Sequence, residues 1–208
     1  MERLFSILFL FFFSTFSYAN DSDMKVNILA SGGYSNVIID DNYYKGYNAS
    51  IKLFLPIISD LYFGLGSKFE SVSNSKQSNI SSAGTISENL TSIFIGIDLA
   101  YKFSIEFVDF QINPYSYYSI YDNWQRTTSF SNSSISITGT ASINTNIIYG
   151  IGCSALFNYD SFYFGPSFYY SRGYIEAQNY TDSFQYSSSF NSGVYEILNY
   201  NITIGMFL

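Results

Sequence analysis

Along most of the chain, apolar and polar residues alternate one by one. The segment 47–55 is the clearest case, because its odd positions are all apolar and its even positions include Asn48, Ser50 and Lys52. The apolar set of this segment is Tyr47, Ala49, Ile51, Leu53 and Leu55. A period of two puts successive side chains on opposite faces of an extended strand. Each such run therefore predicts a β-strand with one apolar face.

The same alternation recurs along the chain and predicts eight strands. The predicted strands are 26–34, 47–55, 61–69, 91–101, 108–118, 145–157, 162–170 and 198–208. A tilted strand of about nine to eleven residues can cross a bilayer, and closed bacterial barrels contain an even number of strands. After Ala19, no stretch has the roughly 18 consecutive apolar residues that indicate a transmembrane helix.

Short and long connections alternate strictly between these strands. The short ones are 56–60, 102–106 and 158–161, and the long ones, rich in Ser, Asn and Thr, are 35–44, 71–90, 119–142 and 173–192. Tight turns at one end and long polar loops at the other are typical of an up-and-down membrane barrel. The sequence therefore predicts four long loops on one side of a membrane.

The few charges within the strands indicate which face points inwards. They lie in antiphase to the apolar residues, are mixed in sign, and are Lys52, Lys68, Glu70, Asp98, Lys102 and Asp109. A narrow eight-stranded barrel is filled by its own side chains, so we expect these charges to pair in the lumen and the apolar face to contact lipid. A soluble barrel would require the opposite arrangement. Glu196 shares the lipid-facing phase, but its distance from Leu208 places its carboxylate beyond the hydrocarbon.

Tyrosines cluster where the predicted strands enter the long loops. The clusters are Tyr34, Tyr43, Tyr44 and Tyr47; Tyr115, Tyr117, Tyr118 and Tyr121; and Tyr169, Tyr170 and Tyr174. A tyrosine ring is apolar while its hydroxyl can stay hydrated, so tyrosine is enriched at membrane interfaces. We expect these residues to form an aromatic belt at the loop side.

Composition excludes several classes of function. The chain of 208 residues has 21 Phe and 21 Tyr, one Cys, a net charge of -7 and no His. A single cysteine forms no internal disulfide, and an acidic chain is a poor match to nucleic acid. Without histidine, the commonest general base and the commonest metal ligand are missing. We therefore expect no enzymatic activity, no catalytic or metal-binding residues and no cofactor.

The first 19 residues have the character of a secretory signal peptide. An apolar run from Leu4 to Phe16 is followed by Ser17-Tyr18-Ala19, whose small residues suit cleavage after Ala19. The run of 13 residues is short for a membrane-spanning helix, which needs about 20. We expect residues 1–19 to be removed and residues 20–208 to form a single barrel domain.

From about Lys25 to Leu208, the chain resembles the eight-stranded outer-membrane barrels of Gram-negative bacteria, which include the OmpA transmembrane domain, OmpX and the opacity-type surface antigens. Besides the signal peptide and the alternating segments, the last strand carries the resemblance, with Tyr200, Ile202, Ile204, Met206 and Leu208 in one phase. That family usually ends on an aromatic residue, whereas this chain ends on Leu208 with Phe207 in the opposite phase.

The resemblance implies an all-β protein, an eight-stranded antiparallel up-and-down transmembrane β-barrel, in the bacterial outer membrane. It also implies contact with outer-membrane lipid and lipopolysaccharide, insertion by the barrel assembly machinery, and a monomeric state. Enzymes with this architecture use histidine, which argues against an enzymatic branch.

A few residues invite chemical interpretations. Asp98 and Asp109 could be a carboxylate pair that activates a nucleophile, or structural charges paired with lysines, which we favour. Cys153 lies in the lipid-facing phase, as a small apolar residue would. Trp124 and Arg126 could form an exposed anchor for a partner, or Trp124 could pack against its own loop. The Asn-x-Ser/Thr matches at Asn79, Asn89, Asn132 and Asn179 are expected by chance in so Asn- and Ser-rich a chain.

Two functions of different classes follow. The first is a surface protein whose barrel anchors polar extracellular loops for adhesion or for contact with host or environmental molecules. The second is a small pore or passive transporter, if the glycines leave water-filled space in the lumen. Those glycines are Gly64, Gly66, Gly96, Gly150, Gly152, Gly165 and Gly205.

Overall fold

The computed structural model describes residues 25–40, 42–77, 85–129, 136–141, 145–176, 178–182, 187–190 and 192–208. The predicted signal peptide 1–19, the centres of the long loops, and Asn79 and Asn132 lie outside these ranges. Among the described residues, there is no helix of the length and apolarity needed to cross a bilayer.

The described chain folds into antiparallel β-strands. They are β1 (Asn27–Ile39), β2 (Asn42–Ile58), β3 (Leu61–Gln77), β4 (Thr85–Ile105), β5 (Val108–Ser129), β6 (Ser136–Ala141), β7 (Ile147–Tyr159), β8 (Phe162–Ile175), β9 (Gln178–Asp182), β10 (Ser187–Phe190) and β11 (Gly193–Phe207).

Eight of these strands form a closed barrel: β1, β2, β3, β4, β5, β7, β8 and β11. Consecutive barrel strands pair with each other, β5 pairs with β7, and β1 pairs with β11 to close the cylinder. At the closing seam, Tyr34 lies opposite Tyr200 on one side and Tyr47 on the other. The predicted fold class, an eight-stranded antiparallel up-and-down β-barrel, is confirmed.

At one end of the barrel, here called the turn end, the strands are joined by tight turns at residues 59–60, 106–107 and 160–161. Glu106 and Asp160 adopt positive φ angles of 55° and 53°, a conformation found mainly in tight turns. The opposite end, the loop end, carries the remaining connections. The three short connections predicted for one end of the barrel are therefore confirmed.

At the loop end, the predicted strand limits are wrong, because the barrel strands are 13 to 22 residues long. Residues 35–44 are not a long loop but the tip of a hairpin, in which β1 runs to Ile39, β2 starts at Asn42, and Asp40 has a φ of 44°. Similarly, much of 71–90 and 119–142 extends β3, β4 and β5, and β6, β9 and β10 continue the sheet beside the loop end of β5.

Candidate membrane belt, lumen and outer rim

The outer surface of the barrel carries a band of outward-facing, mostly apolar residues, here called the belt. It comprises Ile28, Ala30, Gly32 and Tyr34 (β1); Tyr47, Ala49, Ile51, Leu53 and Leu55 (β2); Leu61, Phe63, Leu65, Ser67 and Phe69 (β3); Ile93, Ile95, Ile97, Leu99 and Tyr101 (β4); Phe110, Ile112, Pro114, Ser116 and Tyr118 (β5); Ile147, Tyr149, Ile151, Cys153, Ala155 and Phe157 (β7); Phe162, Phe164, Pro166, Phe168 and Tyr170 (β8); and Leu198, Tyr200, Ile202, Ile204 and Met206 (β11). Tyr47 is 76% exposed and Ile202 is 60% exposed. Every residue of the belt is uncharged.

The height of the belt matches the core of a bilayer. About nine residues per strand, at roughly 3.3 Å each and a tilt of roughly 40°, cover about 23 Å along the barrel axis. Outer-membrane barrels present an apolar band of about 25 Å. Such a large exposed apolar surface is incompatible with free solution. The predicted orientation, with the apolar face outside and the charges inside, is confirmed.

Asp98 is the centre of a polar network at mid-height in the lumen. Its Oδ1 accepts a 2.6 Å hydrogen bond from Lys52 Nζ and a 2.8 Å bond from Asn113 Nδ2, and its Oδ2 accepts a 2.7 Å bond from the Tyr117 hydroxyl. Lys52 is only 4% exposed and Asp98 2% exposed. A buried charge is stable only when it is paired and hydrogen-bonded, and both conditions are met here.

Asp109 belongs to a different pair, near the turn end. Its Oδ2 lies 2.6 Å from Lys102 Nζ, and Ser104 also donates to its carboxylate. In the register of β4 and β5, Asp98 lies opposite Tyr115, six positions from Asp109 and so about 20 Å away along the strand. The two aspartates do not form one site, and the interpretation as lysine-paired structural charges is confirmed.

A third ion pair lies beside the Asp98 network. Lys68 Nζ is 3.2 Å from Glu70 Oε2, and both side chains are buried. Ser35 donates to Glu70 Oε1, and Asn199 Nδ2 donates to the same oxygen at 3.2 Å. The predicted inward charges on β2 to β5 therefore all lie in three ion pairs.

Aromatic rings fill the space beside the inward-facing glycines. A Cβ atom built on Gly64 would lie 2.5 Å from the Phe54 ring, one on Gly152 would lie 2.4 Å from the Tyr169 ring, and one on Gly205 would lie 2.3 Å from the Tyr163 ring. The mid-lumen cavity measures only about 10 Å³, room for one water molecule. Beside these three glycines, neighbouring rings occupy the space, so the water-filled volume that the pore alternative requires is not found there.

Two apolar clusters lie on either side of this polar layer. The turn-end cluster consists of Leu29, Phe54, Tyr62, Ala100, Leu156 and Tyr163. The loop-end cluster is larger and contains Val37, Ile39, Tyr44, Val72, Leu90, Phe94, Tyr115, Tyr117, Trp124, Ile148, Tyr169, Ile175, Tyr195 and Ile197. Among the described residues, apolar packing therefore lies between the mid-lumen pairs, Lys52–Asp98 and Lys68–Glu70, and each end of the barrel.

Beyond the belt, the polarity of the two faces is reversed in a region here called the outer rim. On β3, β4 and β5, the outward residues become Ser71, Ser73, Ser75, Ser87, Asn89, Thr91, Asn123, Gln125 and Thr127. On the inward face, Val72, Leu90 and Trp124 are buried and lie side by side in one row, next to the Glu88–Arg126 ion pair. A polar exterior over an apolar interior is the arrangement of a water-exposed barrel. The outer rim therefore extends beyond the bilayer.

Trp124 and Tyr44 anchor the interior of the outer rim. Trp124 is 1% exposed, so the exposed Trp-Arg anchor is wrong and packing at the base of its loop is right. The Tyr44 hydroxyl donates a 2.8 Å hydrogen bond to Glu88, whose other oxygen lies 3.9 Å from Arg126. Burial and the Glu88 charge raise the pKa of Tyr44 well above its ordinary value. Burial also raises the pKa of Tyr195 strongly.

The tyrosine clusters divide between the two faces, so the prediction that all of them form an aromatic belt is wrong for the buried ones. Of the predicted belt tyrosines, those exposed on the outside are Tyr34, Tyr43, Tyr47, Tyr118, Tyr121 and Tyr174, whereas Tyr44, Tyr115, Tyr117 and Tyr169 are buried inside. The parity of each position relative to its strand could have identified the inward set. Glu196, as predicted, faces outwards near the loop end, where its carboxylate lies 3.6 Å from Arg172 and accepts a bond from Tyr170.

Cys153 is exposed on the belt, in agreement with its predicted lipid-facing phase. Among the described residues, no group of three or more acidic or cysteine side chains is placed to hold a metal ion.

Comparison with known proteins supports the architecture. No family model matches the chain, and no curated protein sequence matches it. Among solved structures, the Neisserial surface protein A is 12% identical, with a TM-score of 0.52 over 88% of this chain and 97% of that one. A major outer membrane protein from Thermus thermophilus is also 12% identical, with a TM-score of 0.55 over 89% of this chain and 99% of that one. This chain therefore has the fold of the eight-stranded outer-membrane β-barrels.

Proposed function

We propose that this protein is an outer-membrane surface protein, in which the barrel is an anchor and the outer rim with its loops is the interaction surface. The reversal of polarity between the belt and the outer rim carries this proposal. We infer from this reversal that the turn end faces the periplasm and that β3, β4, β5 and the short strands beside them extend above the lipid. Adhesion, or contact with host or environmental molecules, is the role we assign to this surface.

The filled lumen favours an anchor over a pore. An eight-stranded barrel has an interior just wide enough for its own side chains. Here the described lumen contains three ion pairs, two apolar clusters and a cavity of about 10 Å³. Reconstitution in planar bilayers distinguishes the two functions. We expect no unitary conductance from the refolded protein, and stable channels would overturn the anchor function.

Topology on intact cells tests the orientation. In a Cys153→Ser background, Gln125→Cys places a thiol on the exposed face of the outer rim, and Ser59→Cys places one in an exposed turn at the turn end. A membrane-impermeant maleimide should label Gln125→Cys on intact cells and Ser59→Cys only after the outer membrane is permeabilised. The opposite labelling pattern would invert the topology.

The interaction role is tested by replacing the outer rim surface. Expressing cells should adhere to a host-cell or matrix-coated surface more than cells without the protein. The combined variant Asn89→Ala/Asn123→Ala/Gln125→Ala removes three outward-facing amides while leaving the inward residues in place. At equal surface labelling, cells with this variant should adhere less than cells with the wild type. Equal adhesion by cells with and without the protein would contradict the interaction role but not the membrane location.

A further inference from the structure

The small cavity at mid-height in the lumen is surrounded by an unusual set of groups. It is lined by Lys52 and Lys68, by the amides of Asn48, Asn199 and Asn201, and by tyrosine rings. Neither carboxylate that pairs with these lysines, Asp98 or Glu70, lines the cavity. The four charges sum to zero, but the two ammonium groups border the cavity and the two carboxylates do not.

The lysines have more hydrogen-bond donors than the surrounding side chains accept. Each ammonium has three N–H donors. Lys52 gives one to Asp98, and its Nζ also lies 4.4 Å from the centre of the Tyr169 ring. Lys68 Nζ lies near Glu70 but outside hydrogen-bonding geometry, and it has no hydrogen-bond partner among the described residues. Lys68 is only 6% exposed, so bulk water does not supply the missing hydrogen-bond acceptors.

None of the lining amide oxygens accepts a hydrogen bond from Lys68 Nζ. The Asn201 side-chain oxygen already accepts a 3.0 Å bond from Asn48 Nδ2. The Asn199 amide donates to Ser35 at 2.9 Å and to Glu70 at 3.2 Å. A buried donor without an acceptor costs about 1–3 kcal/mol, and more if it is charged. The cavity therefore favours an occupant that accepts several hydrogen bonds.

We propose that this cavity is a binding site for a small monovalent anion of the halide class, chloride being the available one, held between Lys52 and Lys68. The volume of about 10 Å³ suits a single small species. A halide ion accepts hydrogen bonds from several donors at once and has no hydrogen to donate. A water molecule would also need acceptors for its own two hydrogens. Apolar clusters lie between the cavity and each end of the barrel, so we expect the anion to enter as the barrel folds and then to exchange slowly.

Diffraction from the wild-type protein refolded and crystallised in sodium bromide tests the site directly. We expect an anomalous bromide peak within hydrogen-bonding reach of both Lys52 Nζ and Lys68 Nζ. Density for water at that position without an anomalous signal, or an empty cavity, would overturn the proposal. This experiment uses no variant, so it does not depend on the folding of one.

Unfolding rates supply an independent test in solution. Wild-type protein refolded in sodium chloride should unfold at least threefold more slowly than protein refolded in sodium gluconate of the same ionic strength. The double variant Lys68→Met/Glu70→Gln, which removes one lysine together with its partner, should abolish this difference. The matched variant Lys102→Met/Asp109→Asn removes an ion pair that does not line the cavity, and it should keep the difference. An equal unfolding rate of the wild type in both salts would contradict the site.

Discussion

The hydroxyl of Tyr117, on β5, occupies the space that a side chain at Gly66, on β3, would need. A Cβ atom built on Gly66 would lie 2.1 Å from the Tyr117 hydroxyl oxygen. The ring crosses the intervening strand at Gly96, where a Cβ atom would lie 2.3 Å from the ring. Because both positions lack side chains, the Tyr117 hydroxyl reaches Asp98 Oδ2 at 2.7 Å. The two glycines thus allow a tyrosine to lie flat across three strands and complete the charge network.

We predict that Gly66→Ala destabilises the barrel by about 1–3 kcal/mol, the usual cost of adding volume to a packed core. The new methyl group would displace the Tyr117 hydroxyl from Asp98. Gly32→Ala is the matched control, because a Cβ atom there would meet nothing closer than 3.7 Å. Urea unfolding in detergent micelles measures both variants. Equal stability of the two would show that Tyr117 is not held by the glycine surface.

The sequence alone predicted the barrel and its orientation, because period-two alternation is a local property of each strand. It also predicted that Lys52, Lys68 and Lys102 pair with acidic residues inside. It failed in the outer rim, where polar Ser and Thr alternate with Val72, Leu90 and Trp124. In these segments the residues still alternate, but the apolar residues face inwards and the polar residues face outwards. Because the segments are rich in Ser, Asn and Thr, their composition is that of a loop. Which glycine accommodates which ring depends on contacts between non-adjacent strands and has no local signature.

The boundary between the belt and the outer rim predicts how the chain tolerates charge. Ile97 and Asn89 both face outwards on β4, the first 48% exposed within the belt and the second exposed on the outer rim. We expect Ile97→Arg to destabilise the protein in lipid bilayers by about 2–4 kcal/mol, as for an arginine near the bilayer midplane. Asn89→Arg should change the free energy of unfolding very little. Unfolding equilibria in phospholipid vesicles measure the difference, and similar costs for the two variants would place the membrane boundary elsewhere.

Substitutions of Lys52 and Asp98 should have strongly non-additive effects on the free energy of unfolding. Removing one partner leaves a buried charge without compensation, so Lys52→Met should cost about 3–5 kcal/mol. The double variant Lys52→Met/Asp98→Asn leaves no unpaired charge at this position and should be more stable than the single one. A double-mutant cycle of urea unfolding measures the coupling. Additive costs would mean that the two charges do not interact across their 2.6 Å separation.

Stability at alkaline pH depends on the buried tyrosines of the outer rim. Burial and Glu88 raise the pKa of Tyr44 in the folded protein, whereas in the unfolded chain it titrates near its ordinary value of about 10. The folded state thus keeps a proton that the unfolded state loses, and stability is complete below about pH 10 and falls as the pH rises further. In Tyr44→Phe this alkaline loss should become less steep, because the titrating group is gone. Tyr43→Phe, at an exposed neighbouring position, should leave the curve unchanged. Unfolding free energies between pH 8 and 12 measure both slopes, and an unaltered slope in Tyr44→Phe would show that its proton is not linked to folding.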